Sequence, residues 1–224
     1  MATQIKYILR NVKMINLNIN KDDYRLNDNN FFNQATSKKR IIIGNTNSVD
    51  MNHYIGWGVR LGGKYKKTSM FTIRLDGEII QHFKPNYFSN FLGYNKIDET
   101  SISILLENEG WLELVNEGKK EYINTVGYIY KREDSVFEKR WRGKTHWAPY
   151  TKEQIESTYK LVRTLCIEFD IPTKTISHNT NFDNANNYNG VLYRSNFDKY
   201  HTDVNPNWDC EKIKNKLENI DYEY

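Results

Sequence analysis

Two apolar runs, Met70–Leu75 and Glu78–Phe83, flank Asp76-Gly77. Strands separated by Asp-Gly are the strongest short hairpin signal, because a tight two-residue turn needs residues that tolerate positive φ. An antiparallel pair is thereby set in the first half of the chain, and any sheet this chain builds must include it. Further strand candidates surround it. Ile41-Ile42-Ile43 is a β-branched run of buried-strand length that exits into Gly44-Asn45-Thr46-Asn47-Ser48. Ser101–Glu107 is another strand, and Lys174–Ser177 a short one ending at His178. Val49–Tyr54 reads as a weak helix, and Gly56–Lys67, with its four glycines, as a mobile loop.

The clearest helix begins at Thr151, an N-cap with Gln154 three residues on to complete a capping box. Ile155, Tyr159, Leu161, Val162, Leu165, Cys166 and Phe169 follow at helical spacing, and Pro172 ends the pattern. A terminal helix runs from Trp208 through Ile213, Leu217 and Ile220. Strand and helix signals alternate without a strict βαβ rhythm. The fold class expected is α/β: a single domain with a central mixed β-sheet flanked by helices. Residues 1–37, polar and Asn-rich with one short strand at Ile5–Leu9, read as an N-terminal arm. Residues 38–224 form the domain, with an insertion at about 110–147 that carries a small hairpin.

Composition narrows the function classes. With 16 Tyr, 10 Phe and 5 Trp the chain has ample ring area for a core, which argues against wholesale disorder. The net charge of +4 suits an anionic polymer as partner without demanding one. Basic residues form no long block of the kind that marks a nucleic-acid arm, so no nucleic acid is expected among the partners. Lys64-Tyr65-Lys66-Lys67 reads as a solvated surface, with contact to an anionic wall polymer as the alternative. Two cysteines cannot make a disulfide framework, and Cys166 on its helical face reads as a small buried hydrophobe. Gly62-Gly63-Lys64 lacks the spacing of a phosphate loop. The start of the chain lacks a signal-peptide core, and no run approaches the ~18 apolar residues of a membrane span.

Chemistry-bearing residues gather between Ile176 and Asp209. His178 stands at the end of a short apolar strand. Beyond an Asn-rich loop come His201 and Asp203, two apart, just before Pro206 and the last helix. Imidazole nitrogen and carboxylate oxygen are the donors of hydrolytic zinc sites, in which three protein ligands leave one position for water.

Six features in this order resemble the zinc-dependent N-acetylmuramoyl-L-alanine amidase family, which includes phage lysins and the peptidoglycan recognition proteins. They are Ile41–Ile43 leading into Asn-Thr, the Phe71–Gln81 hairpin, strand Ser101–Glu107, Tyr150-Thr151 with Gln154 and its helix, Ser177-His178, and Thr202-Asp203. The resemblance spans about residues 38–219. It implies hydrolysis of the amide between muramic acid and the first alanine of the stem peptide, by a zinc ion held by two His and one Asp. The second His and the Asp match His178 and Asp203. Gly44 stands at the place of the first. Other positions depart too. Ser69 or Met70 stands for a hairpin Tyr or His, Phe91 for a substrate-facing His, Leu105 for a strand carboxylate, and His201 for a transition-state Lys.

Two readings follow from the resemblance. In the first, Gly44 deprives the zinc of a ligand, and the chain is a peptidoglycan-binding or virion-associated module with hydrolysis lost or impaired. In the second, His53 or Asn45 completes the zinc sphere, or His178, His201 and Asp203 form a set of their own, with His201 as a catalytic candidate. The chain is then an active N-acetylmuramoyl-L-alanine amidase with zinc as cofactor. Both readings expect peptidoglycan or muropeptide as partner, with other phage structural proteins as a further class. They expect a chain made in the bacterial cytoplasm, then carried on a virion or released to the wall.

Overall fold

The computed structural model describes residues 17–132, 135–180 and 182–218. The strand expected at Ile5–Leu9 and the helix position Ile220 lie outside the described residues. In chain order the elements begin with β1 (Ile19–Asn20), β2 (Arg40–Asn45), α1 (Asn52–Val59), β3 (Phe71–Ile73) and β4 (Ile79–Gln81). Then come α2 (Asn95–Glu99), β5 (Ser101–Leu106), β6 (Trp111–Asn116), β7 (Glu121–Ile123), β8 (Phe137–Trp141) and β9 (Lys144–Trp147). The chain closes with α3 (Lys152–Phe169), α4 (Phe182–Asn186), β10 (Gly190–Tyr193) and α5 (Cys210–Glu218).

Six strands form the central sheet in the order β1-β4-β3-β5-β2-β10. Only β3 and β4 pair antiparallel; every other neighbour is parallel, so the sheet is mixed. The Ile41–Ile43 run is fully buried, as an unalternating β-branched run must be when both faces of its sheet are covered. The Asp76-Gly77 turn closes as the sequence indicates, with Gly77 N–H donating to the Arg74 carbonyl. Gly77 sits at φ +88°, and a Cβ there would stand 2.9 Å from the Glu153 carbonyl oxygen, so the turn packs straight onto the first turn of α3.

Helix α3 starts on the expected cap: the Thr151 hydroxyl accepts from Gln154 N–H. The Gln154 side chain does not return the bond as a capping box would. Its amide instead donates to the carbonyls of Ile73 and Glu107, joining the ends of β3 and β5 to the helix. Leu161, Val162, Leu165 and Cys166 supply the buried face, and burial pushes the Cys166 thiol up to about 12, an inert group.

Three expectations change. The segment after Met51 is helical through Val59 and continues as a 3-10 turn to Gly63, where a mobile loop was expected. Its anchor is Asn30, whose amide donates to the carbonyls of Trp57, Gly63 and Tyr65, while Trp57 is buried beneath. The insertion is more than a hairpin: β7-β6-β9-β8 make a second sheet over a small core of Leu112, Tyr122, Tyr130 and Ala148. Strand β10 was read as part of the Asn-rich loop, whereas Lys174–Ser177 contributes only a single parallel bridge, Thr175 to Val191. Among the described residues no helix is long and apolar enough to cross a membrane.

Candidate active-site cleft

The register of the sheet places the candidate residues. Gly44 on β2 lies beside Leu105 on β5, and Leu105 beside Thr72 on β3. Residues paired in this way share one face, so these three make a row across the sheet. On the other side of β2, Tyr193 of β10 pairs with Ile43 and delivers Arg194 next to Gly44.

Arg194 fills the space that any side chain at position 44 would need. A Cβ on Gly44 would stand 2.3 Å from Arg194 Cδ and 2.5 Å from Asp203 Oδ2. Real Cβ contacts are never that close, so the glycine and the arginine stem are complementary. The guanidinium lies over the Phe91 ring at 5.2 Å, with Nη1 3.2 Å from Asp203 Oδ2. The same carboxylate oxygen accepts from Asn45 N–H at 2.9 Å, and Oδ1 is 3.5 Å from His201 Nδ1. Burial works to raise the Asp203 pKa, but Arg194 and then His201 outweigh it, so the carboxyl is held below its usual range and stays charged.

The other predicted residues lie around this pair with separate commitments. His178 Nδ1 faces Cys210 Sγ at 3.2 Å, and its ring packs edge-on against Trp141. Burial, with Lys139 and Arg142 nearby, pushes that imidazole down to about 4, so it is neutral at physiological pH. His53 is not turned toward Gly44. Its Nε2 meets Thr72 Oγ1 at 3.0 Å, and Thr72 Oγ1 meets His82 Nε2 at 2.8 Å. His82 Nδ1 faces the Tyr24 carbonyl at 2.7 Å and must donate to it. Neutral His82 therefore accepts the Thr72 proton, and His53 Nε2–H donates to Thr72. Asn45 is committed as well: its side-chain oxygen accepts from Tyr150 OH at 3.0 Å, and Tyr150 in turn accepts from Asn205 N–H.

A cleft of about 1230 Å³ opens over this row. One wall is α1 with its 3-10 extension, contributing His53, Trp57 and Arg60; the other is the β7–β8 connection, contributing Tyr128 and Arg132. Asn45, Phe91, Leu105 and Arg194 line it from the sheet side. Neither His178, His201 nor Asp203 is among its lining residues. The second sheet also braces the loop behind the cleft. Arg142, at the β8–β9 turn, donates to the carbonyls of Ser195, Asp198 and His201, and so clamps the segment that carries Arg194 and Asp203.

A six-stranded mixed sheet with a cleft above β2 and β5 defines the class, an α/β domain, and solved wall amidases share its architecture. The N-acetylmuramoyl-L-alanine amidase LysC from Clostridium intestinale superposes with a TM-score of 0.50 at 16% identity, covering 90% of this chain and 98% of that one. The endolysin amidase LysCS from the same organism gives 0.51 at 14% identity, covering 89% and 95%. The Escherichia coli amidase AmiD, in complex with anhydro-N-acetylmuramic acid-L-Ala-D-γ-Glu-L-Lys, gives 0.52 at 14% identity, over 83% of this chain and 59% of that one. No curated protein sequence matches. The profile of the N-acetylmuramoyl-L-alanine amidase family matches residues 26–190, and the chain belongs to that family. The match stops short of Arg194 and Asp203.

The zinc ion that the family resemblance implies does not fit the residues present. Position 44 offers no donor, its space is occupied by the Arg194 stem, and Asp203 already faces a fixed cation. His178 turns its Nδ1 to Cys210 Sγ, on another element from Asp203 and Gly44. Among the described residues no three His, Cys, Asp or Glu side chains come together as a metal cradle.

Arg194 is the residue that sequence reading missed. Its signal was the short apolar run Val191-Leu192-Tyr193 after Gly190. That run marks a buried strand, and the residue leaving such a strand emerges at the end of the sheet.

Proposed function

We propose that this chain is a peptidoglycan-binding module on the amidase fold, with hydrolysis of the muramoyl–L-alanine amide lost. The observation that carries the reading is the Arg194–Asp203 pair seated against Gly44. Hydrolysis in this family depends on a cation that can both polarise a carbonyl and lower the pKa of bound water. A guanidinium can do the first through its N–H donors. It has no vacant coordination position for water and cannot do the second. The cleft itself is retained, with a volume suited to a sugar-peptide fragment. The ligand in the AmiD complex, a muramic acid bearing a short peptide, is the chemical type expected here.

Sedimentation with purified cell wall tests this. The protein should pellet with the wall, and no new L-alanine amino termini should appear, with or without added zinc. Zinc-dependent release of those termini would restore the reading as an active amidase. A chain that stays in the supernatant would remove the binding claim.

A further inference from the structure

We infer that Arg194 is the ligand-binding cation of the cleft, standing in for the family's metal ion as the group that holds an oxygen of the bound peptide. This rests on the reading of the cleft as a wall-binding site and names the chemistry that site selects.

Three observations carry it. First, Arg194 is positioned by fit: its stem occupies the space left by Gly44, and the ring of Phe91 supports the guanidinium from one side. A planar fork held in this way loses little freedom when it binds. Second, the pairing with Asp203 is incomplete. Nη1 is 3.2 Å from the carboxylate, the only carboxylate that Arg194 meets among the described residues, and Nε is buried without a hydrogen-bond partner. Asp203 is itself shared with Asn45 N–H and His201. Arg194 lines the cleft while Asp203 does not, so a ligand meets the guanidinium at its terminal nitrogens, from the side away from that carboxylate and not through the buried Nε. Third, the cleft is cationic beyond this residue. Arg60, Lys67, Lys131 and Arg132 line it with Arg194. Among the described residues Asp50 and Glu109 oppose them, and Glu109 is engaged by the Asn124 amide.

Among the described residues of the lining, five cations face two carboxylates, a balance that favours an anionic ligand. Sugar strands of N-acetylated hexosamines carry no charge, whereas the stem peptide carries carboxylates. The occupant is therefore the peptide portion of a muropeptide, with a carboxylate or carbonyl oxygen on the Arg194 fork. Arginine suits this task better than lysine, because its parallel donors match a carboxylate while an ammonium is a point charge.

The test measures binding of a disaccharide tetrapeptide by calorimetry in buffer containing EDTA. Removing Arg194 alone would strand a buried carboxylate, so Arg194→Met is made together with Asp203→Asn and compared with Asp203→Asn alone. Asp203→Asn should bind at least as tightly as the unaltered protein, since the fork loses a competitor. Arg194→Met with Asp203→Asn should bind at least about tenfold more weakly, the loss expected for a charge-assisted hydrogen bond. An N-acetylglucosamine oligomer without peptide should bind no better than buffer. Equal affinity in the two variants would overturn the role of Arg194 and leave the wall-binding reading standing. Binding of the bare sugar as tight as that of the muropeptide would overturn the selection for peptide. No binding of the muropeptide to the unaltered protein would overturn both.

Discussion

Gly44 and Arg194 are a matched pair, and each explains the other. Glycine at the end of a buried strand costs backbone entropy and gives no packing of its own. Here it makes room for an arginine stem that approaches to 2.3 Å of where a Cβ would sit. Gly44→Ala should therefore destabilise the protein by about 1–3 kcal/mol through overpacking, because the Arg194 stem must shift and weaken its contact with Asp203. The same substitution in an Arg194→Ala, Asp203→Ala background, which removes both groups nearest that Cβ and orphans neither charge, should cost less, with a coupling of at least ~1 kcal/mol in a mutant cycle followed by urea denaturation. Additive effects would show that the two residues are neighbours without being complementary. The sequence alone made Gly44 visible as a missing ligand, since its place after Ile41–Ile43 is fixed by the strand pattern. It could not show what fills the space, because Arg194 is 150 positions away and meets Gly44 only through the pairing of β10 with β2.

At the scale of elements, legibility followed how local the signal was. The β3–β4 hairpin, β2, β5 and α3 were readable because each carries its own turn, run or cap. The second sheet was under-read as a hairpin, since its strands are half exposed and mix charged with aromatic residues, as in Phe137-Glu138-Lys139-Arg140-Trp141. Helix α1 was cut short because glycines 56 and 58 argue against a helix. Its tertiary anchors, Asn30 and the buried Trp57, override that propensity. Two buried histidines, His82 and His178, and the half-buried His53 join elements and make those joints sensitive to acid. His53 and His82 link α1 to the hairpin through Thr72, and His178 ties its loop to α5 through Cys210. Burial lowers His53 to about 3, and His82 and His178 to about 4. In the unfolded chain each titrates near 6.5, so between pH 6.5 and 4 the unfolded state binds protons that the folded state refuses. Stability must then fall as pH drops through that window. Asp98, raised to about 6 by burial, and Glu109, also raised by burial, bind protons in the folded state and offset part of the loss. A net difference of one proton still corresponds to about 1.4 kcal/mol per pH unit. Urea midpoints measured from pH 7 to 4.5 should fall steadily; a flat or rising trend would place these imidazoles in water.

Taken as a whole molecule, the chain keeps the architecture of the amidase family and sets a guanidinium in the lining of its cleft. The overall fold could be read from the order of its elements, because six local signals in sequence leave few ways to assemble a sheet. The cleft could not, since its walls come from the α1 region and the β7–β8 connection, which no single sequence motif joins. Protein equilibrated with excess zinc, freed of unbound metal by gel filtration and assayed for metal per chain, gives the most direct reading of what occupies the site. The guanidinium–carboxylate pair predicts far less than one zinc per chain, with no change on His178→Ala. About one zinc per chain that is lost on His178→Ala would contradict it.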